Sequence, residues 1–293
     1  MFSNTQAAKF AALVMYGWDM CDNDLYCLSP APDPRITAEG WYVMGYITGN
    51  DNIIKSGKSI RRKILDVSSD CDSRVCYGYL ANNSAGDYVA VIRGTDGAEE
   101  WFDDFDFILC EPKAPLKGKV DGGFYGIYKT LQLSTNTNGD KQLAAGIVQT
   151  IAGANITVLG HSLGAALATY LTAELVALLP PSQVTACLFA SPKTGNKDFV
   201  YYIQSNVKNY QVFNYKKDLV PLTPPLGYSA LPNCTILSEC QFDLTISPTP
   251  ACCHHLICYI ALLDADFYLQ LVEMPDMTAD DKNCAACITT KYT

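Results

Sequence analysis

The chain has 293 residues, 49% of them apolar and 17% charged, with a formal net charge of −9. That size and balance suit a globular chain able to bury a sizeable core, and they argue against nucleic acid as a partner and against docking by charge on an anionic membrane surface. No stretch approaches the roughly 18 uninterrupted apolar residues of a membrane-spanning helix.

The run from Phe10 to Trp18 follows Lys9 and leads into Asp19, Asp22 and Asp24 without a small-residue cleavage site. It reads as a first amphipathic helix, with Phe10, Leu13, Val14 and Gly17 near one face, rather than as a signal peptide. Pro30, Pro32 and Pro34 mark a surface turn. The apolar segment Trp41 to Ile47 leaves its type open. Cys76 to Leu80 and Tyr88 to Ile92 read as strands joined through the hairpin loop Asn82 to Asp87. The chain carries 13 cysteines. The sequence-near pairs 21/27, 71/76, 234/240 and 284/287 predict local disulfides, an oxidising compartment and hence secretion, with at least one thiol left over.

A strand ends at Arg93, and Gly94 and Thr95 open a loop at its C-terminal edge, where open α/β sheets place their sites. Beyond it Trp101, Phe105 and Ile108 recur at i, i+4 and i+7, with Phe102 beside them and acidic residues filling the other positions. This is an amphipathic helix with an aromatic face, readable as a core helix or, over residues 97–106, as a mobile lid. Gly122-Gly123-Phe124-Tyr125 leads into a helix around residues 125–133, followed by a Thr/Asn/Gly loop at 134–139 and a helix from Lys141 to Ile151. Val184 to Ala190 and Tyr210 to Asn214 read as strands, and Lys197 to Ile203 as a helix. The alternation predicts one α/β domain over residues 1–293, a mostly parallel central sheet with helices on both faces.

Between these elements lies Ile156-Thr157-Val158-Leu159-Gly160-His161-Ser162-Leu163-Gly164, followed without a break by an Ala/Leu-rich run. It reads as a buried strand, a very tight turn and a helix. Ser162 stands at the apex, and Gly160 and Gly164 let strand and helix pass closely. The N–H of Leu163 would then face a developing oxyanion at a helix N-terminus. A serine hydroxyl needs a base, and the base needs an orienting acid. The chain has three histidines. His161 sits inside the turn, so its side chain should point elsewhere, which leaves His254 or His255. Asp218 follows the strand Tyr210 to Asn214 and precedes Val220-Pro221. It fits an acid at a strand end, and Asp243 is a second, less well placed candidate.

Together these segments resemble the class 3, fungal-type lipase family of α/β-hydrolases over residues 76–265. The motifs are Val91-Ile92-Arg93-Gly94-Thr95 with Trp101 eight residues after the arginine, Gly122-Gly123-Phe124-Tyr125, Gly160-His161-Ser162-Leu163-Gly164, Ser191 to Asn196, Asp218-Leu219-Val220-Pro221, and His254 to Tyr259. The resemblance implies an α/β-hydrolase fold with Ser162 as nucleophile, Asp218 as acid and His254 rather than His255 as base. It also implies an oxyanion hole from Thr95 and Leu163, and a lid around 97–106 in which Trp101, Phe102 and Phe105 meet substrate at a lipid–water interface. Asp121-Gly122 stands where the family usually carries a histidine or basic residue. The first 75 residues and the Cys-rich tail match nothing in the family pattern.

The resulting expectation is a secreted, monomeric triacylglycerol lipase that needs no cofactor and no metal, with no nucleic-acid partner and no integral membrane segment. Phospholipase A1 and a feruloyl-type esterase share the same machinery. Two rivals come from other classes. Cys252, Cys253, His254, His255, Cys258, Cys284 and Cys287 could supply zinc ligands, although the spacing is not a standard two-by-two pattern. A non-catalytic lipid-binding protein on a hydrolase fold would have lost a member of the Ser–His–Asp set, and none is lost here.

Overall fold

A computed structural model describes residues 1–23, 27–50, 74–94, 107–135, 139–239 and 243–290. The chain opens with helices α1 (Asn4–Asp22) and α2 (Pro34–Ala38), then strands β1 (Trp41–Asn50), β2 (Arg74–Asn83), β3 (Tyr88–Ile92), β4 (Leu109–Cys110) and β5 (Val120–Asp121). Helix α3 (Gly122–Tyr128) leads to β6 (Gln132–Thr135), β7 (Lys141–Gln142), α4 (Leu143–Ile151), β8 (Ile156–His161), α5 (Leu163–Leu178), β9 (Val184–Phe189), α6 (Lys197–Asn206) and β10 (Asn209–Tyr215). The remainder holds β11 (Cys234–Leu237), β12 (Leu244–Ile246), α7 (Pro250–His254), α8 (Leu256–Leu263), α9 (Ala265–Val272), α10 (Ala279–Ala285) and β13 (Ile288–Thr290).

Nine strands form one sheet in the order β11-β10-β9-β8-β3-β2-β1-β6-β7. The half that carries the tight turn is parallel, from β3 through β8, β9 and β10 to β11. The other half, β3-β2-β1-β6-β7, is antiparallel. Strand periodicity divides the core in two. Ala90 and Ile92 of β3 face one cluster with α3, α4 and α5, while Val89 and Val91 face another with α1 and α8. Helices therefore cover both faces, as the alternation predicts.

Several expectations change. Helix α1 is buried on nearly every side, Ala7, Ala8, Ala11 and Ala12 included, so it is a core helix rather than an amphipathic one. It packs against both the sheet and α8, which leaves it little solvent face. Trp41–Asn50 is a strand. The helix expected at 125–133 stops at Tyr128, and Gln132–Thr135 instead pairs with β1. The hydrogen bonds that the edge of β1 offers outweigh continuation of the helix there.

The two disulfides among the described residues are long-range: Cys21–Cys76 across 55 residues and Cys252–Cys287 across 35. The expected 21/27, 71/76 and 284/287 pairings are thus overturned. Helix α1 lies along β2 and brings Cys21 to a Cα–Cα distance of 5.4 Å from Cys76. Spatial approach, not sequence spacing, decides a bridge. Cys71 and Cys240 lie outside the described residues. On the α1 side the buried guanidinium of Arg35 meets Asp19, Asp33 and Asp281, tying α2 to α1 and α10.

Candidate active site

The serine stands where strand becomes helix. Ser162 links β8 to α5 at φ 57 and ψ −126, a left-handed conformation in a residue that is not glycine. Such strain persists only when the surroundings enforce it. The glycines show how. A Cβ on Gly160 would lie 2.4 Å from the Gly164 carbonyl oxygen, and one on Gly164 would lie 2.2 Å from the Ile92 oxygen. Strand, helix and the end of β3 pass at backbone contact. Gly164→Ala is expected to force them apart and lower the melting temperature by roughly 3 °C or more. Thermal unfolding checks this, and an unchanged transition would mean that the crossing is not tight.

The base reaches the serine from the far end of the sequence. His254 closes α7, and its Nε2 lies 2.8 Å from Ser162 Oγ. Its Nδ1 lies 2.8 Å from Asp218 Oδ2. A carboxylate can only accept, so Nδ1 carries the proton and Nε2 is left to accept the serine O–H. Asp218 sits in the turn after β10, where its N–H donates to Tyr215 O at 3.0 Å. Its Oδ1 accepts from Val220 N at 2.9 Å, and its Oδ2 also accepts from Tyr259 OH at 2.6 Å. Tyr259 is in turn held by the Tyr215 N–H at 3.0 Å. All three members of the row are buried, with Ser162, Asp218 and His254 at 1%, 3% and 8% exposure. These bonds therefore act in a medium of low dielectric.

The neighbouring histidine has a different task. His255 is the N-cap of α8, its Nδ1 accepting from Ile257 N, and burial pushes its pKa down to about 4. Asp243 is exposed in the turn before β12, and it is Asp218 that meets the imidazole. Leu163 opens α5, so its N–H belongs to the first helical turn, whose donors lack intrahelical acceptors. Thr95, Trp101, Phe102, Phe105 and the expected lid at 97–106 lie outside the described residues.

The comparisons fit this geometry. Residues 89–228 match the family described as Lipase (class 3). Those residues belong to the class 3 lipase family. They include Ser162 and Asp218, whereas His254 lies 26 residues beyond the matched stretch and is delivered by the fold. The chain is similar to phospholipase A1-II 7 of Oryza sativa subsp. indica, 32% identical over 59% of this chain and 50% of that one. Phospholipase A1-IIgamma of Arabidopsis thaliana is 32% identical over 49% and 40% of the two chains. A lipase of Rhizopus niveus is 30% identical over 48% and 36%. The chain spans about half the length, or less, of the curated relatives it matches. Among solved structures, a mutant form of MDLA from Penicillium cyclopium superposes with a TM-score of 0.53 at 22% identity, covering 80% of this chain and 78% of that one. That likeness shows the α/β-hydrolase fold.

Two residues of the class 3 lipase stretch have structural parts that sequence reading left unassigned. Arg93 is buried, with Nε donating to Cys76 O at 2.9 Å and Nη1 to Gly94 O at 3.0 Å. Its guanidinium lies 5.7 Å from the ring centroids of Trp18 and Tyr77. It thereby anchors the main chain immediately before Thr95. An arginine directly after an apolar strand was the available signal. Asp121, where the family usually has a basic residue, is fully buried. It caps α3 through Gly123 N and Phe124 N and accepts from Tyr228 OH at 2.7 Å. Burial raises its pKa against the pull of those donors.

The zinc reading loses three of its seven candidate ligands. Cys252 and Cys287 are bonded to each other, and His254 is engaged at both ring nitrogens.

Proposed function

We propose that the chain is a serine-dependent carboxylic ester hydrolase acting on lipid esters at a lipid–water interface, as a triacylglycerol lipase. The observation that carries this is the His254 imidazole held between Ser162 Oγ and Asp218. In the proposed reaction Ser162 Oγ attacks the ester carbonyl carbon while His254 Nε2 takes its proton. Asp218 stabilises the imidazolium, and the Leu163 N–H, with Thr95, receives the oxyanion. Collapse of the tetrahedral intermediate expels the alcohol, which takes the proton back from His254. Water, activated by the same imidazole, then releases the acid and restores Ser162.

A lipid substrate is supported by the surface next to the acid. Leu219, Leu222 and Leu226 follow Asp218 and are 60%, 62% and 88% exposed. Leu219 and Leu222 are three apart across a single 3-10 turn, which puts them on one side. The segment is held from below, with Lys193 N donating to Thr223 O and Lys193 Nζ to Leu222 O. Held leucines at this exposure suit contact with acyl chains. The double substitution Leu222→Asp, Leu226→Asp is expected to lower turnover of an emulsified long-chain ester about tenfold, the effect of losing partial burial of two leucines. Hydrolysis of dissolved p-nitrophenyl acetate should stay unchanged. An equal loss on both esters would show that the leucines serve folding or chemistry instead.

Phospholipase A1 is the second reading, favoured by the plant relatives of that name at 29–32% identity. Initial rates on trioleoylglycerol emulsion and on phosphatidylcholine vesicles separate the two. Release of fatty acid mainly from the emulsion supports the first, and release of the sn-1 chain from vesicles supports the second. The two disulfides support an oxidising compartment and hence secretion, and a monomer that uses no metal or organic cofactor completes the proposal.

A further inference from the structure

The base of the row stands at an awkward place in the chain. Helix α7 ends at His254, and α8 begins at Leu256 after His255 turns extended at φ −67 and ψ 136. Carbonyls in the last turn of a helix lack intrahelical partners. The main-chain bonds on either side of this break skip His254: His255 N donates to Ala251 O, and Cys258 N to His255 O. The His254 carbonyl is met by the side chain of His161, whose Nε2 lies 2.9 Å away. A carbonyl can only accept, so His161 must hold its proton on Nε2. The two imidazole rings also lie against each other, with centroids 4.7 Å apart and planes tilted by 36°. The ring of Tyr259, the tyrosine that donates to Asp218, lies nearly perpendicular to that of His161, with centroids 6.0 Å apart and planes at 76°.

We infer that His161 is a positioning residue, whose Nε2–H fixes the peptide after His254 and so sets the imidazole in line between Asp218 and Ser162. The inference rests on the ester-hydrolase reading. The placement is economical, because His161 and Ser162 are consecutive on the tight turn. The element that presents the nucleophile also grips the main chain of the base. The distance from Oγ to Nε2 is then tied to one rigid turn rather than to two independent loops. The state of His161 supports the same role. Burial and the facing His254, with His255 nearby, keep its pKa well below the ordinary imidazole value, so it stays neutral and keeps one tautomer across the working pH range.

Two substitutions isolate the bond from the ring. His161→Phe keeps a flat ring against His254 and removes the donor. His161→Gln removes the ring and returns an N–H donor near the position of Nε2. Rates are taken per active site titrated with a phosphonate, so that misfolded protein does not count. His161→Phe is expected to lower kcat about a hundredfold with KM within twofold, as loss of alignment without loss of substrate contact requires. His161→Gln should recover most of that loss. A His161→Phe enzyme with normal kcat per titrated site, or a His161→Gln enzyme as slow as the phenylalanine form, would overturn the inference. A second readout does not depend on turnover. Nitrogen-15 spectra of the imidazoles should show His161 protonated at Nε2 only, unchanged between pH 5 and pH 9 (pH values of roughly these limits bracket ordinary histidine titration). A His161 that titrates there, or that is protonated at Nδ1, would contradict the assignment whatever the enzyme hydrolyses. A wild-type protein with no Ser162-dependent ester turnover but with this spectrum would instead sink the hydrolase reading and leave the bond standing.

Discussion

Ser162→Ala is expected to lower kcat on an ester by about a million-fold, the scale seen when a serine nucleophile is removed from such a set. The fold should persist, because the side chain lost is a small hydroxyl whose recorded bond is to His254 Nε2 at 2.8 Å. Alanine also accepts the turn no worse than serine does, since the strain at φ 57 comes from the backbone crossing and not from the hydroxyl. Without Oγ no acyl-enzyme forms, and His254 has no proton to take. Emulsion turnover, melting temperature and circular dichroism of the same preparation check this together. A folded Ser162→Ala protein that keeps more than about a thousandth of the wild-type rate would show that another group carries the attack.

Asp218→Asn should cost about 10⁴ in kcat, and the contacts of this carboxylate say why. One oxygen, Oδ1, accepts from Val220 N, so the asparagine oxygen is drawn to that position. The amide NH2 then faces His254 and Tyr259 OH, where the native carboxylate accepts from both. An NH2 there donates to His254 Nδ1, which forces the proton to Nε2 and leaves Ser162 without an acceptor. The reversed amide restores the tautomer and breaks the bond to Val220 in a buried place, where an unmet donor costs on the order of 1–3 kcal/mol. The first orientation loses the row, and the second keeps it only at that cost. Tyr259→Phe, which removes one of the three donors to Asp218, should reduce the rate far less than Asp218→Asn. Comparable losses in the two variants would indicate that the tyrosine, not the carboxylate, organises the base.

The sequence made the nucleophile turn legible because its requirements are local. A buried strand, two glycines at close crossings and an Ala/Leu-rich helix are contiguous, and each has a steric reason. The sheet strands from Val184 and Tyr210 were legible for the same reason, as short apolar runs between turn residues. The choice between His254 and His255 was legible only through the family resemblance, which places the base on His254, because both follow the same cysteines. It is decided by which ring faces the sheet end and which caps α8. Nor could spacing reveal the disulfides, since Cys21 meets Cys76 only after α1 is laid along β2. The strand at Gln132–Thr135 depended on an open edge of β1 that no local pattern announces. His161 illustrates the limit most clearly. Its place beside the serine fixed where its backbone lies, while its partner stands 93 residues away.

The central claim is that Ser162 is a nucleophile activated by His254. The most direct measurement is labelling with a long-chain alkyl phosphonate presented in detergent micelles, followed by peptide mass mapping. Wild-type protein should acquire one phosphonyl group on the peptide that carries Ser162. Ser162→Ala should acquire none, and Asp218→Asn should label far more slowly. Label on a different residue, or a wild-type protein that stays unmodified while a known serine hydrolase in the same micelles reacts fully, would contradict the account.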